Sequence, residues 1–231
     1  MKRFYSAASV VAKNGHFTVE LDNRPVLSPG RTSLELKMQA VAEAIAEEWN
    51  AQDDEVVPES MPMTRFANTA IDRIQPRQDE VANEIAAYAG TDLLCYRAEE
   101  PKDLAERQSF AWQPLLDWAA AHYGTSLRLT AGVIPVEQDP EALAVLHAKV
   151  AACDAFALSA LHSLTSASGS LVIALAVLEG RIGPEEAAAA SLIDETFQAE
   201  QWGEDPESIA RWDGIGAEIA MAARFLSLAL P

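Results

Sequence analysis

Apolar and polar positions alternate at the start of the chain. Phe17, Val19 and Leu21 are separated by Thr18 and Glu20, the period-two pattern of a half-buried strand. Asn14-Gly15 precedes that run. A type I′ turn needs positive φ at both central positions, so this dipeptide predicts a hairpin. Asp22-Asn23 predicts a second turn, and Arg24 to Leu27 a short strand placed at an edge by Pro25.

The period then changes. Thr32 and Glu35 have capping-box spacing, and Leu34, Met38, Val41, Ile45 and Trp49 follow on one helical face. Trp49 is therefore assigned a structural, packing role. Asp53, Asp54 and Glu55 end the helix in solvent, and Pro58 and Pro62 enforce an extended loop before order resumes from Met63 to Ile74.

Beyond residue 77 the pattern is helical almost to the end. Val81, Ile85 and Tyr88 mark a short helix closed by Gly90. Another helical region begins near Pro101, with Pro114 breaking or restarting it before Leu115 and Trp118, and Gly124 stopping it. Leu127, Leu129, Val133 and Val136 form a short strand or an extended connection. Asp139-Pro140-Glu141, Gly183-Pro184-Glu185 and Asp205-Pro206-Glu207 each place proline at a first helical position, with an acid facing the positive end of the macrodipole. The expected fold class is α+β. A small β-hairpin-containing N-terminal domain with one long helix (1–75) is followed by a larger, mainly α-helical domain (76–231).

Charge sharpens this division. The chain of 231 residues has 35 acids against 17 bases, a formal net charge of -18. Residues 1–75 carry 11 acids and 8 bases, whereas 179–218 alone carry 11 acids and 2 bases. Such a balance disfavours nucleic acid and anionic membrane surfaces, both of which attract Lys and Arg. The near-balanced first 75 residues also argue against an acidic mimic of nucleic acid. Two cysteines, Cys95 and Cys153, exclude a disulfide-rich scaffold and a Cys-based zinc site. The longest strongly apolar run, Leu171 to Leu178, is well short of the roughly 18–20 residues a membrane helix needs. The N-terminus does not read as a secretory signal, so a cytoplasmic protein without membrane insertion is expected.

Catalytic chemistry is not marked by any spacing. His16, His122, His147 and His162 form no pair three or four residues apart with another His or Cys, so no metal site is expected. No phosphate-binding glycine loop occurs, and no cofactor or small-molecule substrate is expected. Thr165 to Ser170 lacks the glycine of a nucleophile elbow and reads as small residues joining two apolar helices. Carboxylate pairs are abundant (Glu47-Glu48, Asp53-Asp54, Glu99-Glu100, Glu185-Glu186, Asp194-Glu195) and mostly belong to solvated helix faces. A carboxylate-dependent hydrolase of unknown substrate is the alternative they leave open.

One constellation is more specific. On a helix through residues 184–203, Asp194, Gln198, Gln201 and Trp202 share a face with Glu195 at its edge, while Ile193 and Phe197 point away. A large aromatic among acids and amides has the composition of a protein-binding anchor with a polar rim. The competing assignment has Trp202 closing the helix against the Gly203-Glu204-Asp205 turn.

Leu21-Asp22-Asn23-Arg24-Pro25-Val26 resembles the N-terminal hairpin signature of the ATP synthase alpha-subunit assembly chaperones, the Atp-twelve family. The resemblance continues through Ile45-Ala46-Glu47-Glu48-Trp49, Met61-Pro62-Met63-Thr64-Arg65 and Ala67-Asn68-Thr69-Ala70-Ile71-Asp72. It extends over Tyr88 to Arg97, Trp112-Gln113-Pro114-Leu115-Leu116-Asp117-Trp118, Asp194-Glu195-Thr196-Phe197-Gln198 and Gln201-Trp202-Gly203. It implies a non-enzymatic chaperone that binds the unassembled alpha subunit of the catalytic head and prevents its aggregation before beta-subunit pairing. The missing leader of mitochondrial members implies a bacterial, cytoplasmic one. Thr196 stands where some relatives carry an acid, which leaves the acidic function to Asp194 or Glu195.

Overall fold

The computed structural model describes residues 1–132 and 134–230. The chain forms two compact units: Met1–Gln78 with Cys153–Ala160 and Arg224–Pro231, and Asp79–Ala152 with Leu161–Ala223. The α+β class read from the sequence is the one found, a small N-terminal sheet followed by a helical region.

In the first unit, β1 (Ala8–Lys13) and β2 (His16–Leu21) pair antiparallel with Val10 opposite Val19 and Lys13 opposite His16. Asn14 and Gly15 have φ of 52° and 79°, as a type I′ turn requires. Asp22 (φ 48°) and Asn23 (φ 66°) repeat the device into β3 (Arg24–Pro25), which lies at the sheet edge where proline is tolerated.

The expected helix start at Thr32 is wrong. Residues 32–36 are extended, and α1 runs Gln39–Asn50. Leu34 and Leu36 are buried with Glu35 exposed between them, a strand alternation that masquerades as helical spacing toward Met38. The backbone confirms it: Phe17 N donates to Leu36 O at 2.8 Å and Leu36 N to Phe17 O at 2.9 Å. Val41 and Ile45 then bury the inner face of α1.

Glu48 fastens α1 to α2 (Pro62–Thr69). Its carboxylate accepts from Met63 N at 2.6 Å, Thr64 N at 2.8 Å and Thr64 Oγ1 at 2.8 Å. It thus satisfies amides that a helix N-terminus leaves orphaned. Burial nevertheless pushes its pKa up, against the opposing pull of those donors. The chain continues from α2 into a π-helical turn, Ala70–Ile74. Phe66 stacks at 5.1 Å on Phe225, and its carbonyl accepts from Ser159 Oγ at 3.0 Å, which ties the two later segments to this unit.

The second unit is helical around a parallel two-stranded ladder, β4 (Tyr96–Arg97) with β5 (Thr130–Ala131). Only β5 lies within the stretch read as strand or extended connection; Val133, one of that stretch's quoted positions, lies outside the described residues. Its first helix, α3 (Gln78–Ala87), buries Val81 and Ile85. The helix α4 (Lys102–Tyr123) is continuous through Pro114, contrary to the break expected there. Proline deprives the carbonyl four residues earlier of its donor. That residue is Phe110, which is exposed, so water can serve instead. Gly124 (φ 70°) ends α4 in the left-handed conformation.

The three proline-led starts are all used, by α5 (Pro140–Ala151), then α8 (Pro184–Ser191) and α10 (Pro206–Ala229) after α6 (Ala155–Ser168) and α7 (Leu171–Leu178). Leu171 to Ala176 of α7 are all buried, the pattern of a helix hydrophobic on every side. Asp92, fully buried, sits at the N-terminus of α7. Ser170 Oγ donates to its Oδ1 at 2.7 Å, and Val172 N to its Oδ2 at 3.0 Å. Leu94 N donates to Oδ1 at 3.1 Å, so one carboxylate closes the turn before β4 and caps α7. Among the described residues, no helix is long and apolar enough to cross a membrane.

Candidate functional site

The sequence region richest in acids does not form the single helix expected over 184–203. It is broken at Leu192 (φ -112°, ψ 18°) into α8 and α9 (Ile193–Trp202). The break is caused by a side chain from another helix. Trp112, wholly buried on α4, donates its indole Nε1 to Ala190 O at 2.8 Å, a carbonyl that a continuing helix would pair with the amide of residue 194.

Two neighbouring side chains on α4 then hold α9. Gln108, 1% exposed, donates Nε2 to Asp194 Oδ1 at 2.6 Å and accepts from Ala98 N at 2.7 Å. Arg107 grips both oxygens of Glu200 at 2.7 and 2.8 Å, and its guanidinium lies 5.2 Å over the Phe197 ring. The Arg107 hydrogen bonds hold Glu200 below the usual carboxylate range. Ile193 and Phe197 are buried between these flanking contacts. The pair at Glu200 is exposed and orients the helix more than it stabilises it.

The other face of α9 is open. Glu195 is half-buried, and no hydrogen bond or ion pair engages its carboxylate among the described residues. Gln198 and Gln201 are exposed, and Trp202 is 81% exposed. The indole therefore does not close the helix against the turn at Gly203 (φ 92°). Asp194 differs from its neighbour: its carboxylate is committed to Gln108. Trp49 is half-buried, edge-on to Tyr5 at 5.5 Å, and its carbonyl accepts from Tyr5 Oη at 2.7 Å.

Sequence reasoning passed over Phe110, which is 86% exposed on α4. Its signal was present: it falls opposite the Leu104, Gln108, Trp112, Leu115 and Ala119 stripe that packs inward. The Thr165–Ser170 stretch is a helix junction, where Ser168 Oγ donates to Leu164 O at 2.7 Å and Ser170 Oγ accepts from Ile173 N at 3.0 Å. His147 meets Asn83 Oδ1 at 2.6 Å on the surface. Among the described residues, no three His, Cys, Asp or Glu side chains gather to hold a metal ion. An aromatic anchor, two free amides and one uncommitted carboxylate on a braced helix can recognise another polypeptide.

Residues 2–120 match the family model of the ATP12 chaperone protein. The crystal structure of Atp12 from Paracoccus denitrificans is similar at a TM-score of 0.96 and 46% identity, covering 99% of this chain and 98% of that one. The Atu1473 protein of Agrobacterium tumefaciens is similar at 0.94 and 38% identity, covering 100% of this chain and 86% of that one. The mitochondrial protein atp12 of Schizosaccharomyces pombe is 26% identical over 226 residues, covering 92% of this chain and 78% of that protein.

Proposed function

Because the chain belongs to the ATP12 chaperone family of ATP synthase assembly, we propose that it captures the unassembled alpha subunit of the catalytic head through the open face of α9. It acts in the cytoplasm, without catalysis, and keeps the subunit from aggregating until the beta subunit pairs with it. The observation that carries the assignment of the face is Trp202, 81% exposed on a helix whose opposite side is fixed by Gln108 and Arg107. Exposed tryptophan of that extent serves an interface better than a monomer surface.

Within this reading the residues divide their work. Trp202 supplies buried contact area, and Gln198 and Gln201 supply rim hydrogen bonds. Glu195 offers its charge to a basic group of the client, while Asp194 keeps α9 in place through Gln108. The test is binding of purified alpha subunit to variants, with circular dichroism melts alongside. Trp202→Ala should weaken binding by about 2 kcal/mol and Glu195→Gln by less, mainly at low salt. Full binding by both variants, with unchanged melts, would place the client surface elsewhere.

A further inference from the structure

The first unit contains a cleft of about 1110 Å³ that α9 has no part in. Its walls come from the Ser28–Gly30 turn, the loop around Val56 and Met61, and α2 with the π-helical turn that follows it. A π turn inside a helical run is a feature often found at functional sites. Here it aims Asp72 at the opposite wall, where the carboxylate accepts from Ser28 Oγ at 2.5 Å and Gly30 N at 2.7 Å. Gly30 suits that approach, since a Cβ there would lie 2.6 Å from Asp72 Oδ1.

The charge of the cleft runs against that of the molecule. The chain carries a net -18, yet Arg65, Arg73 and Arg77 all line this opening and are exposed. Arg73 and Arg77 form no ion pair among the described residues. Asp72 is already engaged by its two donors, which leaves Glu59 as the one uncommitted acid on the lining. Leu27, Val56 and Met61 add apolar surface.

We propose that this cleft binds an extended acidic polypeptide segment. Guanidinium groups recognise carboxylates by paired hydrogen bonds, and the exposed Arg73 and Arg77 present two of them at this opening. The volume slightly exceeds the roughly 300–1,000 Å³ typical of small-molecule pockets. Elsewhere the acidic surface repels such a segment, so the attraction is confined to within about a Debye length, ~8 Å at physiological salt, of Arg73 and Arg77. The proposal draws on the chaperone reading only in taking a polypeptide as the occupant, and it is independent of α9.

The test uses the full chain and a fluorescein-labelled ten-residue peptide alternating Glu with Leu, read by anisotropy. The expected result is saturable binding, weakened at least tenfold by Arg73→Glu with Arg77→Glu and largely retained by the double Lys variant. A Lys-for-Glu peptide meets the acidic surface instead, so its affinity should not fall in the double Glu variant. Glu59→Gln should tighten binding severalfold, which keeps the proposal testable if the charge-reversal variant fails to fold. Absence of saturable binding, or affinity unmoved by both the Glu and Gln variants, overturns it. Displacement of the peptide by tripolyphosphate at equal or lower concentration also overturns it, in favour of a phosphate site. Capture of alpha subunit by Trp202→Ala and by the double Glu variant is measured in parallel. Loss only in the former leaves the α9 face standing when the cleft proposal falls, and loss only in the latter does the reverse.

Discussion

Replacing Asp92 with Asn should destabilise the second unit far more than the loss of one charge suggests. The buried carboxylate receives Ser170 Oγ and Leu94 N on one oxygen and Val172 N on the other. Every group facing it that has been named donates. An amide keeps one oxygen and turns an NH2 toward the other side, where in either orientation it meets a backbone N–H, of Val172 or of Leu94. At least one buried donor is then unpaired, at about 1–3 kcal/mol. The opposed dipoles add to that, and we expect a loss of about 2–4 kcal/mol at pH 7. Asp92→Ala orphans all three donors and should cost on the order of 3–5 kcal/mol.

The same group has a pH signature. Burial pushes the Asp92 carboxyl up to about 6, despite the donors from Ser170, Val172, Leu94 and Leu171 that pull the other way. An unfolded aspartate titrates near 3.9. Between those values the folded state binds the extra proton, so this contribution to stability is complete below about pH 4 and lost as pH rises through 6. From pH 7 down to pH 5 the wild type should gain about 1 kcal/mol that Asp92→Asn, which does not titrate, lacks. Urea unfolding followed by circular dichroism at both pH values measures it, with the m-value as a check on the denatured state. A wild-type-to-Asn difference under 1 kcal/mol at pH 7, or one independent of pH, would refute the account.

Three further outcomes are expected. Glu48→Ala should cost about 1–3 kcal/mol by orphaning the amides of Met63 and Thr64, seen as a lower urea midpoint, while Glu48→Gln recovers part of it. Gly30→Ala should destabilise by about 1–3 kcal/mol, because its Cβ displaces Asp72, and Asp72→Ala in the same chain should relieve the clash, as a double-mutant cycle would report. Arg107→Ala should change the melting temperature little, since its pair with Glu200 is exposed, and should weaken alpha-subunit binding indirectly by loosening α9, which backbone hydrogen exchange at residues 193–202 would register.

The parts of the fold legible in the sequence were those set by local chemistry. Asn14-Gly15 and Asp22-Asn23 dictate their turns because few other residues adopt positive φ at both positions. Pro140, Pro184 and Pro206 begin helices because the missing amide hydrogen is one a helix start does not use. What misled were patterns decided by distant partners. Leu34 was compatible with either period until Phe17 paired with Leu36, and the continuity of 184–203 was undone by an indole from α4 that takes Ala190 O. Nothing in the periodicity marks 153–160 and 224–231 as companions of the first 78 residues, because packing between remote segments leaves no periodic trace. The α9 face could be drawn on a helical wheel. That Asp194 is committed to Gln108 while Glu195 is not could not, since Gln108 lies 86 residues away. The cleft was hidden for the same reason: Arg65, Arg73 and Arg77 are close in the chain, but the facing wall at Ser28 is 44 residues from Asp72.

The manner in which apolar surface is displayed bears on how a chaperone of this family avoids associating with itself. Phe4, Phe110, Ile134 and Trp202 are all more than half exposed, yet they lie on separate segments of the chain. Contiguous apolar patches of several hundred Å² are what drive self-association, and a net charge of -18 makes two copies repel overall. A client with basic surface experiences the opposite sign, so the same charge that isolates the chaperone hastens capture. Affinity resting on one aromatic anchor and salt-sensitive pairs is also easily reversed. A hot spot is worth about 2 kcal/mol or somewhat more, whereas an obligate subunit interface buries more than about 2,000 Å² of largely apolar surface. On the proposed α9 reading, a permanent partner that buries such an interface can therefore displace the chaperone from its client.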